Sequence, residues 1–292
     1  MRRQHILLVT KQSTRDRLGQ DDMQRLVSAG VADPQRLEAA HRQHQEAVDQ
    51  VRSAIGAALV TEAWVGHITP DHLKNIDLVI CVGGDGTVFG VQRWIAETPL
   101  ISVNSDPERS VGHFTRLRAN QVAATLEAWR AGHSQEQALP RLAARILDQA
   151  GRGPLLMDTH PILNDCLFTN HNPAEMSRYV IDTGEDQELH YSSGVWVATA
   201  AGSTAAIASA GFGTTYDPAE AALLFHVREP FSNSPLHLNS GSQCPPQGLS
   251  LTAAIPGMQI SIDGAHSAHA LPPGAQVQFR AHPTALRLIL PG

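Results

Sequence analysis

The chain has 292 residues, enough for two modest domains that each bury a core. Its formal net charge of −6, from 22 basic and 28 acidic residues, argues against nucleic acid or an anionic membrane as an electrostatic partner. The apolar fraction of 42% is ordinary for a globular protein, and no uninterrupted apolar run approaches the roughly 20 residues of a membrane span.

The N-terminus, MRRQHILLVTKQ, is basic, but Ile6–Val9 is shorter than a signal-peptide core and reads as a first strand. The segment DPQRLEAAHRQHQEAVDQVRSAIGAAL has Pro34 near its start and apolar residues at Leu37, Val48, Val51 and Ile55, so a long helix is expected. TEAWVGHI is a further candidate strand. IDLVICV and PLISVN are continuous apolar runs, as strands covered on both faces should be. TVFGVQRWIAE between them is the expected crossover helix, and NQVAATLEAWRAG another. Strand and helix alternating in this way predict a doubly wound parallel sheet.

After about residue 136 short candidate strands follow one another between Gly and Pro turns: RLAARILD, HPILNDCLFTN, SRYVIDTG, GVWVATAA, GLSLTAAI, QISIDG and AQVQFRAH. One small-residue helix, STAAIASAGF, interrupts them. The expected organisation is an α/β domain over 1–136 that binds nucleotide phosphates and a β-rich domain over 137–282. Periodicity does not decide whether the tail 283–292 returns to the first domain. The cysteines Cys81, Cys166 and Cys244 are widely spaced and odd in number, which suggests no disulfide framework and a reducing, cytosolic compartment.

In open parallel sheets ligands sit beyond the carboxyl ends of the strands, where both Gly83–Thr87 and Asn104–Gly112 fall. Glycines let backbone amides approach phosphate oxygens, and the following helix offers a positive N-terminus. Asp85 in such a loop would repel phosphate. It suits instead a general base, or an acceptor, for an incoming hydroxyl. A turn without chemistry is the competing explanation, because Gly-rich strand-to-helix turns are common. Asp106 and Arg109 read either as a surface ion pair or, by their place in the second loop, with Arg109 near phosphate. HSAH (266–269) offers two histidines without a third ligand and reads as a solvated hairpin. AAGSTAA lacks the G-x-S-x-G elbow of a serine hydrolase.

GGDGT resembles the motif shared by NAD kinases, diacylglycerol and sphingosine kinases and, more loosely, phosphofructokinases. NSDPERSVGHFT (104–115), ILNDCLF (162–168), SSGVWVATAAGSTAAIASAGF (192–212) and FHVREPF (225–231) resemble successive NAD kinase segments, the first and last in the mitochondrial-type version, and VTKQSTRDRL near the start agrees. The resemblance spans most of the chain and implies an NAD kinase-like two-domain fold. It also implies phosphoryl transfer from ATP to the adenosine-ribose 2′-hydroxyl of NAD(H).

Carried over by position, Asp85 acts on that hydroxyl. Gly83, Gly84, Gly86 and Thr87 face phosphates, with Asn104 and Arg109 beside them. Asn164 and Asp165 hold the acceptor's adenosine half. Thr204, Ala205 and Ser209 line the adenine pocket, with His113 and Phe114 packed against that base. Mg²⁺ is expected on substrate phosphates rather than in a protein cage, and a homodimer or dimer of dimers with shared sites is implied. Ser193 and Ala206 stand where many bacterial relatives have aspartate and tyrosine, which leaves NAD versus NADH open. The alternatives are a lipid kinase of the same superfamily, for which the small residues of AAGSTAAIASAG are a poor apolar pocket, and a catalytically silent nucleotide-binding regulator, which Asp85 argues against.

Overall fold

The computed structural model describes residues 3–231, 236–264 and 267–292. The chain divides into two compact units. One ends at Gln137 and takes back Arg287–Gly292; the other is Ala138–Leu286.

The first unit opens with β1 (His5–Thr10), the short helices α1 (Thr14–Arg17) and α2 (Gln20–Ser28), and the long α3 (Pro34–Ile55). It continues with β2 (Leu59–Trp64), β3 (Leu78–Gly83), α4 (Asp85–Gln92), β4 (Leu100–Asn104), β5 (Leu117–Arg118) and α5 (Val122–Arg130). The strands run in the order β2-β1-β3-β4, followed by Leu286–Ile289 and Glu136–Leu139, with β5 also on β4. The pairs β1–β2, β1–β3, β3–β4 and β4–β5 are all parallel. Every residue of β3 and β4 is buried, which is why both read as unbroken apolar runs. Helix α3 starts where the Asp33 carboxylate accepts the Gln35 N–H at 2.9 Å and Pro34 takes the first turn. Its Val48, Val51 and Ile55 pack with Val122 and Leu126 of α5 over Ile6, Leu8, Ile80 and Ile101.

The second unit is two six-stranded sheets, every adjacent pair in them antiparallel, that share one core built around Phe168, Tyr179, Leu251, Ile260 and Phe279. In one sheet Asp165–Asn170 lies between Val195–Thr199 and Met258–Ile262.

Several expected elements have different limits. The crossover helix expected from Thr87 begins at Asp85 and stops at Gln92. Gly84 is its extended N-cap, and the N–H groups of Trp94 and Ile95 bond three residues back, tightening the chain out of the α-helix. The helix expected over 203–212 shrinks to Ala206–Ser209, because Ala205 leaves helical backbone at φ −92°, ψ −137° and Gly211 turns the chain at φ +112°. The strand expected over 160–170 starts only at Asp165; the amides before it turn to the side chain of Asp263. The strand expected over 61–68 ends at Trp64 and gives way to a 3₁₀ turn. Helices α1 and α2 were not foreseen: they are short and bury no residue. Of HSAH, His266 lies outside the described residues, while His269 sits in the strand Ser267–Leu271 with Nε2 2.8 Å from Ser267 Oγ.

Candidate active site

In the first unit the site grows from the ends of β3 and β4. Gly83 closes β3 opposite Asn104, the last residue of β4. A Cβ on Gly83 would run into Thr87 Oγ1, so only glycine lets α4 start this tightly. Gly84 has open space beside it, with Ser110 Oγ at 3.8 Å from a notional Cβ, and Gly86 is exposed in the first helical turn. Thr87 is buried, its N–H on the Gly84 carbonyl at 2.8 Å.

Asp85 is the first residue of α4, where a carboxylate complements the helix dipole. Its Oδ1 accepts the N–H groups of Phe114 (2.9 Å) and Thr115 (3.1 Å) and, at 3.4 Å, the Thr115 hydroxyl. Oδ2 accepts the His113 N–H alone, at 2.9 Å. One oxygen is filled and the other keeps a lone pair for a further donor.

Asn104 is buried, and both ends of its carboxamide serve the second loop: Nδ2 donates to the Ser110 carbonyl at 3.1 Å and Oδ1 accepts the Asp106 N–H at 3.0 Å. Gly112, at φ +67°, leaves room that a side chain would take from Asn104 Nδ2 and Thr115 Oγ1. Arg109 pairs with Asp106 at 3.0 Å and donates to Gln43 at 3.0 Å. His113 is exposed. Phe114 is buried, its ring edge-on to Phe89 at 5.3 Å. Phe114 also gives its amide to Asp85.

The second unit gathers Asn164 and Asp165 at the start of a central strand. The Asp263 carboxylate, one residue past the neighbouring strand, accepts the N–H groups of Leu163 (3.1 Å), Asn164 (2.8 Å) and Asp165 (3.2 Å). Asn164 Nδ2 donates to Asp165 Oδ2 at 2.9 Å. Thr199 donates its hydroxyl to the Leu163 carbonyl at 2.6 Å, and a Cβ on Gly202 would strike the Asn164 carbonyl. Both acids are buried side by side. Burial first, then the charge of Asp263, pushes the Asp165 carboxyl up to about 7. Thr204 and Ser209 are exposed and Ala205 half-buried; Ser203 is buried, its Oγ accepting the Tyr216 N–H at 3.1 Å.

Sequence reasoning passed over Thr115 and Asp263. The acid of SIDG, ending an alternating strand just before glycine, was the available signal for Asp263.

A family model described as the ATP-NAD kinase N-terminal domain matches residues 10–134. A probable NADH kinase of Oryza sativa subsp. japonica is 29% identical over 277 residues, which is 86% of this chain and 82% of that protein. An NAD kinase of Methanospirillum hungatei JF-1 is 30% identical over 201 residues, 66% of this chain and 67% of its own. Yeast NADH kinase, solved complexed with NADH, matches with a TM-score of 0.69 at 16% identity, over 99% of this chain and 84% of that one, a likeness of fold.

Proposed function

The chain belongs to the NAD kinase family and is a phosphotransferase that forms NADP(H) from NAD(H) and ATP; from that premise we propose how its residues divide the work. Asp85 accepts the hydrogen of the adenosine-ribose 2′-hydroxyl on Oδ2 while that oxygen attacks the terminal phosphorus and the diphosphate leaves. The observation that carries this role is the asymmetry of the carboxylate: Oδ1 filled by Phe114 and Thr115, Oδ2 held by one amide and open. In phosphoryl transfer the protein mainly positions reactants and stabilises charge, and an acceptor latched to two loops suits that task.

Gly83, Gly84, Gly86 and Thr87 face donor phosphates with the N-terminus of α4 behind them. Asn104 contributes indirectly, by holding the second loop, and Arg109 stands near phosphate. Asn164 and Asp165 bind the acceptor's adenosine half, an amide beside a carboxyl suiting ribose hydroxyls and a base edge. Thr204, Ala205 and Ser209 line the base. Mg²⁺ arrives with ATP. Among the described residues no group of three His, Cys, Asp or Glu side chains could cage it, and this cation prefers phosphate oxygens and water. Asp106, the half-buried acid of the second loop, would take its water shell. When bound, the ion would offset the charge of the phosphates and of the departing diphosphate.

A homodimer or dimer of dimers in the cytoplasm completes the proposal. Three free cysteines, two of them buried, suit a reducing compartment, and among the described residues no helix is long and apolar enough to cross a membrane. Light scattering and cell fractionation test these two points. The reaction itself is tested with purified protein, Mg-ATP and NAD or NADH, by coupling to an NADP-specific dehydrogenase. NADP(H) should accumulate with ATP consumed; no product with either acceptor overturns the function.

A further inference from the structure

The order β2-β1-β3-β4 means that the chain leaves β1 toward one edge of the sheet and β3 toward the other. The crevice between the carboxyl ends of β1 and β3 is therefore the topological switch point, where open parallel sheets take ligands. Thr10 pairs with Val82, so the next residue on each strand, Lys11 and Gly83, stand side by side there, and Asn104 follows across Gly83.

Lys11 is half-buried, and its stem lies over Gly83: a Cβ on that glycine would sit 3.3 Å from Lys11 Cδ. Its carbonyl accepts from His44 Nε2 at 3.0 Å, which fixes the loop after β1 to α3. Among the described residues its ammonium makes no hydrogen bond and no ion pair. Burial pulls its pKa below the ordinary lysine value; Asp106 opposes that, and Arg17 adds to it. Asp106 Oδ1 takes Arg109 Nη1 at 3.0 Å. A desolvated cation without a partner, held against a phosphate-facing glycine, is costly unless an anion completes it.

We propose that Lys11 is a donor-binding residue whose ammonium receives the phosphates of the nucleoside triphosphate beside Gly83. The Gly83–Thr87 loop offers amides and a helix end but no full positive charge, and a triphosphate carries several negative ones. A lysine supplies a compact point charge on a flexible stem, and an arginine in its place would keep the charge. The proposal rests on the kinase function above.

The test compares wild type, Lys11→Met and Lys11→Arg. Each is titrated with inorganic tripolyphosphate by calorimetry without acceptor, then assayed at steady state with ATP and NAD varied in turn. Hydrogen bonds to charged groups predict a loss of about 10–100-fold in tripolyphosphate affinity and a matching rise in KM for ATP in Lys11→Met. KM for NAD should stay within about twofold, and Lys11→Arg should recover most of the loss. Should the methionine variant melt early, Lys11→Gln carries the same comparison. Unchanged tripolyphosphate affinity, equal losses for ATP and NAD, or an arginine variant no better than methionine overturns the assignment. A wild type that binds tripolyphosphate through Lys11 but forms no NADP(H) sinks the kinase function and leaves this phosphate site standing.

Discussion

The Asp85 carboxylate meets the His113 amide at 2.9 Å, and this contact ties the loop after β3 to the loop after β4. The acid proposed to act on the hydroxyl is thus also the latch of its own site.

Asp85→Asn should lose turnover by about 10²–10⁴-fold, the usual scale for removing a general base. The amide also turns an N–H₂ toward backbone donors at one oxygen position, so a lower melting temperature is expected alongside. Steady-state kcat and a melt on the same sample separate the two effects. Turnover within a few-fold of wild type would remove Asp85 from the chemistry.

Asn164→Ala should act on the acceptor. Losing a buried hydrogen-bonding partner costs roughly 1–3 kcal/mol, which should appear as a raised KM for NAD with KM for ATP nearly unchanged. Parallel shifts in both constants would move Asn164 away from acceptor binding.

The raised Asp165 carboxyl makes stability depend on pH. An unfolded aspartate titrates near about 3.9, whereas the folded group titrates at about 7. Between those values the folded chain keeps a proton that the unfolded chain has released. Stability from this group is therefore full below the lower value and falls as pH rises toward the upper one. Asp165→Asn should gain melting temperature relative to wild type across that window. Two melting curves that stay parallel from pH 5 to about 7.5 would show that Asp165 is ionised throughout.

Ser193 and Ala206 offer neither the carboxylate nor the aromatic face that the resemblance leads one to expect there. Ser193 lies at a tight turn, its N–H on the Arg228 carbonyl at 3.0 Å, and Ala206 opens a helix of four residues. Without charge complementarity for the oxidised ring, NADH should be used within about tenfold of NAD in kcat/KM. Rates with both acceptors at saturating Mg-ATP decide this; a hundredfold preference for NAD would show that other residues supply the discrimination.

What could be seen in the sequence follows from which forces are local. Leu78–Gly83 and Leu100–Asn104 announce themselves because full burial leaves an apolar run, and GGDGT because glycine and one acid are unusual together. The parallel α/β sheet and the β-rich second half follow from such signals. The latch between Asp85 and residues 113–115 does not, since it uses backbone amides that every sequence has. Nor does Lys11 beside Gly83: the register between β1 and β3 is set by packing between distant segments. Asp263 meets Asp165 for the same reason, across strands far apart in the chain. The short helix at Ala206 was overestimated because small residues suit a helix, while the backbone at Ala205 is bent out of it by tertiary structure.

The strand Leu286–Ile289 pairs with β4 and stands beside Glu136–Leu139, and Arg287 forks onto the Glu136 carboxylate at 2.9 and 3.1 Å. The first sheet to emerge during synthesis is thus completed by a strand that is made only after the whole of Ala138–Leu286. At about 5–20 residues per second, β4 waits on the order of ten seconds or more while Ala138–Leu286 is translated, with part of its edge unpaired. A truncated chain ending at Gln137 keeps that bare apolar edge for good, so it should aggregate where the full chain does not. Maturation is in this sense a closing stitch: the second unit must be translated before the first sheet gains its last strands.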